Sequence, residues 1–394
     1  MTPELRFPDF KDPWQDATAG DAFAHSKAKG GAGLPIWSVT LNRGMVPRNS
    51  LDRHMESDAA DETNLRAKPG DLVYNMMRMW QGAVGQASEE CMVSPAYVVL
   101  SPKPRICSRF FDYWFKAPHM LHRLRSFSHG LTKDRLRLYY ADFAKIPIPL
   151  PSEDEQRKIA DFMDTVSERI TLLNREKAAL EDHKQGLMQR LFSQELRFTR
   201  RDGSAFPEWQ ERSLGDIATF RKGSGIAKSE ISKTGKVPCI HYGDLFRNHG
   251  TAIKRIDTFT DIDEGVSGST GDVLMPASDV TPTGLCTASA LMESGVKLGG
   301  DIIIIRPKEE IDSVWLAYAI VSDPQKILRM VCGIAVKHLY SRDLSKLKIR
   351  IPSVEEQRKI SDAVGVVESK IDAVSTQITH METFKKGLLQ KLFV

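Results

Sequence analysis

PSEDEQRKI at residues 151–159 recurs as PSVEEQRKI at residues 352–360, with seven of nine residues identical. The match extends without a gap over residues 151–192 and 352–393, ending in KQGLMQRLF and KKGLLQKLF, and 17 of its 42 positions are identical. A repeat at one fixed spacing indicates an internal duplication. The sequence therefore predicts two copies of one structural unit, each containing this stretch.

Each copy of the stretch is predicted to form one long helix. Ser152 with Glu155, and Ser353 with Glu356, have the spacing of a capping box, in which the serine accepts from a backbone N–H and the glutamate reaches back to the cap. The apolar residues that follow have the 4-3 spacing of a coiled coil: Ile159, Met163, Val166, Ile170, Leu173, Leu180, Leu187 and Leu191, and then Ile360, Val364, Val367, Ile371, Val374, Ile378, Met381, Leu388 and Leu392. Because neither narrow stripe can be buried by its own helix, we expect the two helices to pack on each other.

Two features interrupt the helices at matching positions. Lys184 and Lys385 stand in the apolar seam. Gly186 and Gly387 lie inside the helices, although glycine costs roughly 1 kcal/mol there. Either a close helix crossing or a frayed last turn would explain both glycines.

The segments before the helices repeat more loosely. The anchors common to both are Leu5-Arg6-Phe7 with Leu196-Arg197-Phe198, Trp14 with Trp209, Gly20-Asp21 with Gly215-Asp216, and PGDLVYNM at 69–76 with TGDVLMPA at 270–277. Between them the sequences diverge, with short β-like runs such as Tyr97–Leu100 and Ile302–Ile305 among Gly and Pro turns. We therefore predict an α+β fold with a pseudo-twofold repeat: variable domains at 1–150 and 195–351, and spacer helices at 151–194 and 352–394. Joining KLFV to MTPELRF would restore the pattern, so the two ends are predicted to lie close together.

Composition limits the class of protein. The 394 residues are 41% hydrophobic, which is typical of a globular protein with two or three domains. There is no run of eighteen apolar residues and no signal-peptide pattern, so we expect a cytosolic protein that does not enter a membrane. The five cysteines, Cys91, Cys107, Cys239, Cys286 and Cys332, form no C-x-x-C pair and are expected to be buried free thiols.

Charge is concentrated in the variable segments. Residues 103–145 hold ten Lys or Arg against three acidic residues, and residues 212–255 hold nine against three. Polyanions bind to regions of this kind, although ordinary surface charge would give the same counts.

No catalytic motif is recognisable. The chain has no phosphate-binding G-x-x-x-x-G-K-[ST] loop, no glycine-rich dinucleotide loop and no Asn- or Asp-Pro-Pro-aromatic motif of amino-methyltransferases. His119 and His122 could lie on one helix face but lack a third metal ligand, and Glu176-Lys177 is interpreted as a solvated helix pair. We therefore predict a binding module with no catalytic residues and no metal site.

Two variable domains, each followed by a helix that opens with P-S-x-x-E-Q-R-K-I and closes with K-x-G-L-x-Q-x-L-F, resemble the specificity subunit of type I restriction-modification systems. VPCIHYGDL and LPIWSVTLNRGMVPR add weaker support. The resemblance implies two target recognition domains, each reading half of a split site in double-stranded DNA. It also implies an antiparallel coiled coil that sets the gap between the half-sites. Methylation with S-adenosylmethionine, and translocation and cleavage with ATP and Mg, would belong to separate methyltransferase and restriction subunits, so no cofactor is expected on this chain.

The candidate DNA contacts come from the basic clusters and from polar or aromatic side chains on loops. Phosphate contacts are predicted for Lys27, Lys29, Arg123, Arg125, Lys133, Lys222, Lys228, Lys254 and Arg255. Base contacts are predicted for Arg78, Trp80, Gln81, His241, Tyr242, Ser278 and Thr281, with core packing as the alternative for Trp80. Gln156, Arg157, Gln357 and Arg358 repeat on helix faces away from the seam and are candidate docking points for methyltransferase subunits. A coiled-coil scaffold with two protein-binding domains is the alternative function.

Overall fold

The computed structural model describes residues 3–51, 62–132, 134–246 and 250–393. The chain divides into two compact units, Met1–Arg175 with Thr376–Val394, and Glu176–Ser375. Each unit therefore contains one variable segment and half of each long helix. The described elements are mixed helices and strands, which confirms the predicted α+β class. No helix in these ranges is both long and apolar enough to cross a membrane.

The first unit contains the strands β1 Gln15–Thr18, β2 Phe23–Ser26, β3 Trp37–Thr40, β4 Gly44–Pro47, β5 Leu65–Ala67, β6 Leu72–Asn75, β7 Val84–Gln86, β8 Cys91–Val93, β9 Tyr97–Pro102 and β10 Pro147–Leu150. It is built on a four-stranded antiparallel sheet in the order β2-β9-β6-β7, with the pairs β1-β10, β3-β4 and β5-β8 beside it. The predicted run at 97–100 lies in β9. The helices are α1 Ala19–Ala22, α2 Ser108–Trp114, α3 Pro118–Ser126, α4 Tyr140–Phe143 and the start of α5 Glu153–Phe192.

The second unit contains the strands β11 Gln210–Ser213, β12 Ala218–Lys222, β13 Val237–Ile240, β14 Ala252–Ile253, β15 Phe259–Thr260, β16 Ser267–Gly268, β17 Val273–Pro276, β18 Ser278–Asp279, β19 Ser289–Leu291, β20 Val296–Leu298, β21 Ile302–Pro307, β22 Lys337–His338 and β23 Lys348–Ile351. It has a five-stranded sheet in the order β12-β21-β17-β19-β14, a four-stranded sheet in the order β15-β13-β20-β16, and the pairs β11-β23 and β18-β22. Its helices are α6 Leu214–Ile217, α7 Ser313–Val321, α8 Pro324–Leu328, α9 Ser341–Leu344 and the start of α10 Val354–Lys391.

The long helices pack antiparallel. In the first unit, Ile159 and Met163 near the start of α5 share a core with Leu388 near the end of α10. In the second unit, Leu191 near the end of α5 shares a core with Ile360 near the start of α10. The beginning of each helix thus lies against the end of the other, which confirms the antiparallel coiled coil.

The repeat continues across the two ends of the described chain. The Leu196 amide donates to the Arg190 carbonyl at 3.0 Å, which joins α5 to the segment that follows it. The Leu5 amide makes the equivalent bond to the Lys391 carbonyl of α10 at 2.9 Å, and the Lys391 ammonium lies 2.7 Å from Glu4. The predicted closeness of the two ends is confirmed for these residues.

The glutamate that was predicted to complete each capping box has a different partner. The Ser152 hydroxyl does accept from the Glu155 amide at 3.3 Å, but the Glu155 carboxylate is buried against Arg6, which donates to it at 2.7 and 2.8 Å. Glu356 is likewise buried and accepts from Arg197. The capping-box prediction is therefore wrong for both glutamates and also for Ser353, whose buried hydroxyl has no hydrogen-bond partner among the described residues. Each glutamate instead joins the start of its helix to the Leu-Arg-Phe anchor.

The seam lysines each contact a tyrosine of the unit in which they lie. The Lys385 ammonium is 5.5 Å from the ring centroid of Tyr113 in the first unit. Lys184 is 5.8 Å from the Tyr318 ring in the second unit and donates to Glu368 at 2.5 Å. Cations above aromatic rings are attracted by the ring quadrupole. The seam is interrupted where the coiled coil meets α2 and α7.

Two expectations from the sequence are wrong: the explanations offered for the helix glycines, and the burial of all five cysteines. A Cβ atom built at Gly186 or Gly387 would meet no atom within 4 Å, so no close helix crossing requires either glycine. Both also lie inside helices that continue beyond them. Of the five cysteines, Cys286 is half-buried and Cys332 is exposed, so the expectation of five buried thiols is wrong for these two.

Candidate nucleic-acid interface

The described residues 129–132 and 134–137 form a basic loop at the surface of the first unit. Its ends are joined by two backbone hydrogen bonds between His129 and Arg137, at 2.9 and 2.8 Å. The next residue, Leu138, is buried and donates its amide to the carbonyl of Met76, at the end of β6, at 2.9 Å. We call residues 129–132 and 134–137 the first tip loop. It extends from a fixed point beside the central sheet.

The first tip loop lines a surface cavity of about 970 Å³ together with Arg78, Trp80 and Gln81. The Arg125 guanidinium lies 5.0 Å from the centroid of the Trp80 ring, and the Trp80 indole donates to the Met77 carbonyl at 3.0 Å. The structure thus brings four predicted DNA-contact residues together. Trp80 is half-exposed at the cavity wall and does not belong to the core, which contradicts the core alternative.

The second unit has the corresponding loop at residues 332–338, which we call the second tip loop. Its ends are joined by hydrogen bonds between Cys332 and His338, at 3.1 and 2.8 Å. The following Leu339 is buried and donates to the Ala277 carbonyl at 2.9 Å. Ala277 and Met76 occupy the same place in the repeated segments TGDVLMPA and PGDLVYNM. The two tip loops are therefore attached at equivalent positions of the two units, although they differ in length and sequence.

The predicted residues Ser278 and Thr281 lie beside the second tip loop, because β18 pairs with β22 at its base. Ser278 is only 6% exposed, and its hydroxyl donates to Asp301 at 3.0 Å. The structure contradicts base reading by Ser278, since the hydroxyl is bonded internally and shielded. Thr281 is exposed and donates to Asp279 at 2.7 Å.

Lys222, another predicted contact, is tied to the same carboxylate. Its ammonium lies 3.0 Å from Asp301. Burial by itself would raise the pKa of Asp301, but the hydrogen bonds from Lys222 and Ser278 outweigh burial and lower it. Asp301 therefore stays ionised near neutral pH. Its negative charge neutralises part of the positive charge of Lys222 beside the second tip loop.

The remaining predicted DNA contacts are not joined to either tip loop by any described contact. Lys27 and Lys29 are exposed, and Arg123 is half-buried and donates to the Pro147 carbonyl at 3.3 Å. Lys133 lies outside the described residues. The remaining candidates in the second unit are three exposed cations and two half-buried aromatic residues: Lys228, Lys254, Arg255, His241 and Tyr242. Arg255 pairs with Asp257 at 2.6 Å, and the rings of His241 and Tyr242 are 4.5 Å apart.

The two glutamines proposed for docking have a structural role. Gln156 and Gln357 are each 1% exposed. The Cys107 amide donates to the Gln156 side-chain oxygen at 2.8 Å, and the Asp312 amide donates to that of Gln357 at 2.9 Å. The prediction that both face outward is wrong, because their amides satisfy buried backbone groups.

The two arginines of the same motif do face outward. Arg157 pairs with Glu153 at 2.7 Å, and Arg358 pairs with Glu310 at 2.8 Å. Both arginines are exposed, so their predicted docking role stays a prediction.

One histidine of the predicted pair has a partner within the first unit. His119 accepts from the Trp114 indole at 3.2 Å. Across the part of the chain that the structure describes, no group of three or more His, Cys, Asp or Glu side chains is placed to hold a metal ion.

Apart from Lys133, the sequence interpretation missed the residues of the tip loops. Arg135 and Arg137 of the first, and Lys337 of the second, were not among the candidates. A signal was present: HGLTKDRLRLY and CGIAVKHLY both have glycine, then an aliphatic residue, then a closing Leu-Tyr. The unequal loop lengths hide this signal from an alignment without gaps.

The fold defines a duplicated protein, with two α+β units that carry different loops at equivalent positions. The chain belongs to the family described as type I restriction modification DNA specificity domain, whose sequence profile matches residues 17–182 and 207–382. Together the two matches cover most of the chain, and there is one in each half.

Individual relatives have the same family identity. The MjaX type I restriction enzyme specificity subunit, as it is named in Methanocaldococcus jannaschii, is 26% identical over 263 residues, which are 63% of this chain and 58% of that protein. The MjaVIII specificity subunit of the same organism is 21% identical over 274 residues, 64% of this chain and 62% of the relative. The matched region thus spans about three fifths of these relatives.

Solved structures show the same fold. The crystal structure of a type I restriction-modification S subunit from M. genitalium matches with a TM-score of 0.64 at 17% identity, covering 100% of this chain and 99% of that one. A second chain, from a study of complex assembly in the type I system, matches with a TM-score of 0.57 at 16% identity over 98% of both chains. At these identities the likeness concerns the fold alone.

Proposed function

We propose that this protein is the DNA-reading subunit of a type I restriction-modification complex, and that each unit reads one half of a bipartite site. The main support is the pair of tip loops, which rise from equivalent points at Met76 and Ala277 but carry different side chains. Equivalent frames with unlike loops suit two readers of two different half-sequences.

The long helices would fix the separation of the half-sites. Helix α5 has 40 residues and α10 has 38, so each extends about 60 Å at 1.5 Å per residue. One turn of B-DNA is roughly 34 Å. Helices of this length suit half-sites separated by an unread gap of about one turn.

Methyl transfer and DNA cleavage would take place on partner subunits. S-adenosylmethionine would bind to a methyltransferase subunit, and ATP and Mg to a restriction subunit, with this chain as a non-catalytic component. The exposed arginines Arg157 and Arg358, at the start of each helix, are proposed docking points for the methyltransferase.

The test is reconstitution with a partner methyltransferase and a duplex pool of random sequence. We expect no methyl transfer by the chain alone, methyl transfer by the mixture, and selection of a two-part motif with a constant gap. Affinity should fall steeply with salt, because phosphate contacts release counterions. Methylation by the isolated chain would refute the non-catalytic role. Binding that is independent of sequence and salt would favour a scaffold for proteins.

A further inference from the structure

Each tip loop presents a fully exposed aliphatic side chain at the same place. Leu131 is 104% exposed and Ile334 is 96% exposed. Each directly follows the glycine of its tip, Gly130 or Gly333. Single apolar residues are common on protein surfaces. Full exposure at equivalent positions of two loops that otherwise differ is a shared feature of the repeat.

The backbone of each tip is built to hold this residue outward. A Cβ on Gly130 would lie 2.2 Å from the Arg135 carbonyl oxygen, and one on Gly333 would lie 2.1 Å from the Val336 carbonyl oxygen. Only glycine therefore permits either turn. Since the loop ends are also joined by paired backbone bonds, each aliphatic side chain lies on a loop whose base is held by the rest of its unit.

The surroundings of Leu131 are basic, and one cation lies near Ile334. Arg135 and Arg137 are exposed in the first tip loop, and neither pairs with a carboxylate among the described residues. Asp134 is the single acidic residue of that loop. The second tip loop contains one lysine, the half-buried Lys337, whose ammonium donates to the Gly333 carbonyl at 2.8 Å, and Asp279 lies opposite it in β18. An apolar tip with cations beside it matches the DNA grooves, where phosphates flank base edges and thymine methyl groups.

We propose that each tip loop enters a groove of double-stranded DNA and packs its aliphatic residue, Leu131 or Ile334, against base pairs of the half-site that its unit reads. In the first tip loop, Arg135 and Arg137 contact the neighbouring phosphates. Apolar side chains contact base edges and base steps in this way in other DNA-binding proteins. This inference rests on the proposed function and adds to it the two residues that contact bases.

The test compares Leu131→Ala and Ile334→Ala in the chain assembled with its methyltransferase, using the duplex that the wild-type complex selects. We expect about tenfold weaker binding for each variant, the size of one lost base contact. Repeated selection should show relaxed preference in one half of the motif for Leu131→Ala and in the other half for Ile334→Ala. The salt dependence should stay unchanged, because an apolar contact releases no counterion.

Three controls separate the possible outcomes. Met292→Ala removes an apolar side chain that is 41% exposed in the second unit and should change nothing. Arg135→Ala should lower the salt slope by about one. Bound DNA should also protect Cys332, at the base of the second tip loop, from alkylation. If the complex binds its site while Cys332 stays reactive and both alanine variants select the wild-type motif, the tip proposal fails and the proposed function stands. If the complex retains no DNA, both fail.

Discussion

Replacement of Arg197 by alanine tests whether a buried ion pair holds the start of α10. The Glu356 side chain is fully buried, and its carboxylate accepts from Arg197 at 3.2 and 3.1 Å and from the Trp209 indole at 3.1 Å. Without Arg197 the carboxylate keeps one donor and stays out of contact with water. Removing one partner of a buried pair costs about 3–5 kcal/mol of unfolding free energy.

Replacement of the other partner, Glu356→Gln, should lower the free energy of unfolding by less. The Arg197 side chain is 21% exposed and also donates to the Pro207 carbonyl at 2.7 Å. Water and this carbonyl remain available to the guanidinium, and the glutamine retains an acceptor oxygen. A loss of about 1–2 kcal/mol is expected, as for a weakened hydrogen bond to a charged group.

Calorimetry of the full chain measures the difference. For a unit of roughly 200 residues, 1 kcal/mol corresponds to about 2–4 °C. Arg197→Ala should therefore lower the transition of the second unit by roughly 6–20 °C. The matched control in the same unit is Arg358→Ala, which removes an exposed pair with Glu310 and should shift the transition by less than about 2 °C. Equal shifts for the two alanine variants, or a larger loss for Glu356→Gln than for Arg197→Ala, would refute the reasoning.

Three further predictions concern the helices and the thiols. Gly186→Ala and Gly387→Ala should each raise the unfolding free energy by up to about 1 kcal/mol in denaturant titrations, because both lie in helices with open space around them. Iodoacetamide at pH 8 should label exposed Cys332 and leave Cys91 unmodified in the native chain, since burial raises the pKa of Cys91 to about 12; mass spectrometry of peptides reads this out. Burial lowers the pKa of Lys385, so the native state disfavours its charge; the penalty is fully present below that lowered pKa and is lost as pH rises toward the ordinary 10.5. Lys385→Met should therefore stabilise the first unit at pH 7, and this gain in stability should disappear as the pH approaches 10.5. The difference in melting temperature between the variant and the wild type, measured across this pH range, checks the prediction.

The long helices could be predicted from the sequence because their signal is periodic and local. Heptad spacing at Ile159 and Met163, and at Ile360 and Val364, requires a partner helix whatever the rest of the chain does. The antiparallel direction came from the family resemblance, since spacing alone allows either direction. The contacts of the helix starts could not be predicted in the same way. A capping box is a local rule, and Arg6, which binds Glu155 across 149 positions of sequence, competes with it as a tertiary partner.

The candidate site was predicted in part, for a related reason. Arg78, Trp80 and Gln81 were recognised because their residue types suit DNA contacts, and they line one cavity. Leu131 and Ile334 were missed because an exposed aliphatic residue looks like a core residue in sequence. Their exposure follows from the tertiary bonds that hold the loop bases, and neither composition nor periodicity reports those bonds.

The arrangement of fixed and variable parts explains why two such different loops can occur on one repeated frame. The bonds that position each tip loop use backbone atoms: the amide of Leu138 or Leu339 and the carbonyl of Met76 or Ala277. Backbone bonds place little restriction on the side chains between them, so a loop can change length and charge without loss of its attachment. The side-chain bonds that do restrict sequence lie at the helix starts, at Glu155 and Glu356 with their arginines. Substitutions within the tip loops, outside their glycines, should thus alter what is bound at little cost in stability, whereas substitutions at the helix starts should destabilise the unit whatever it binds.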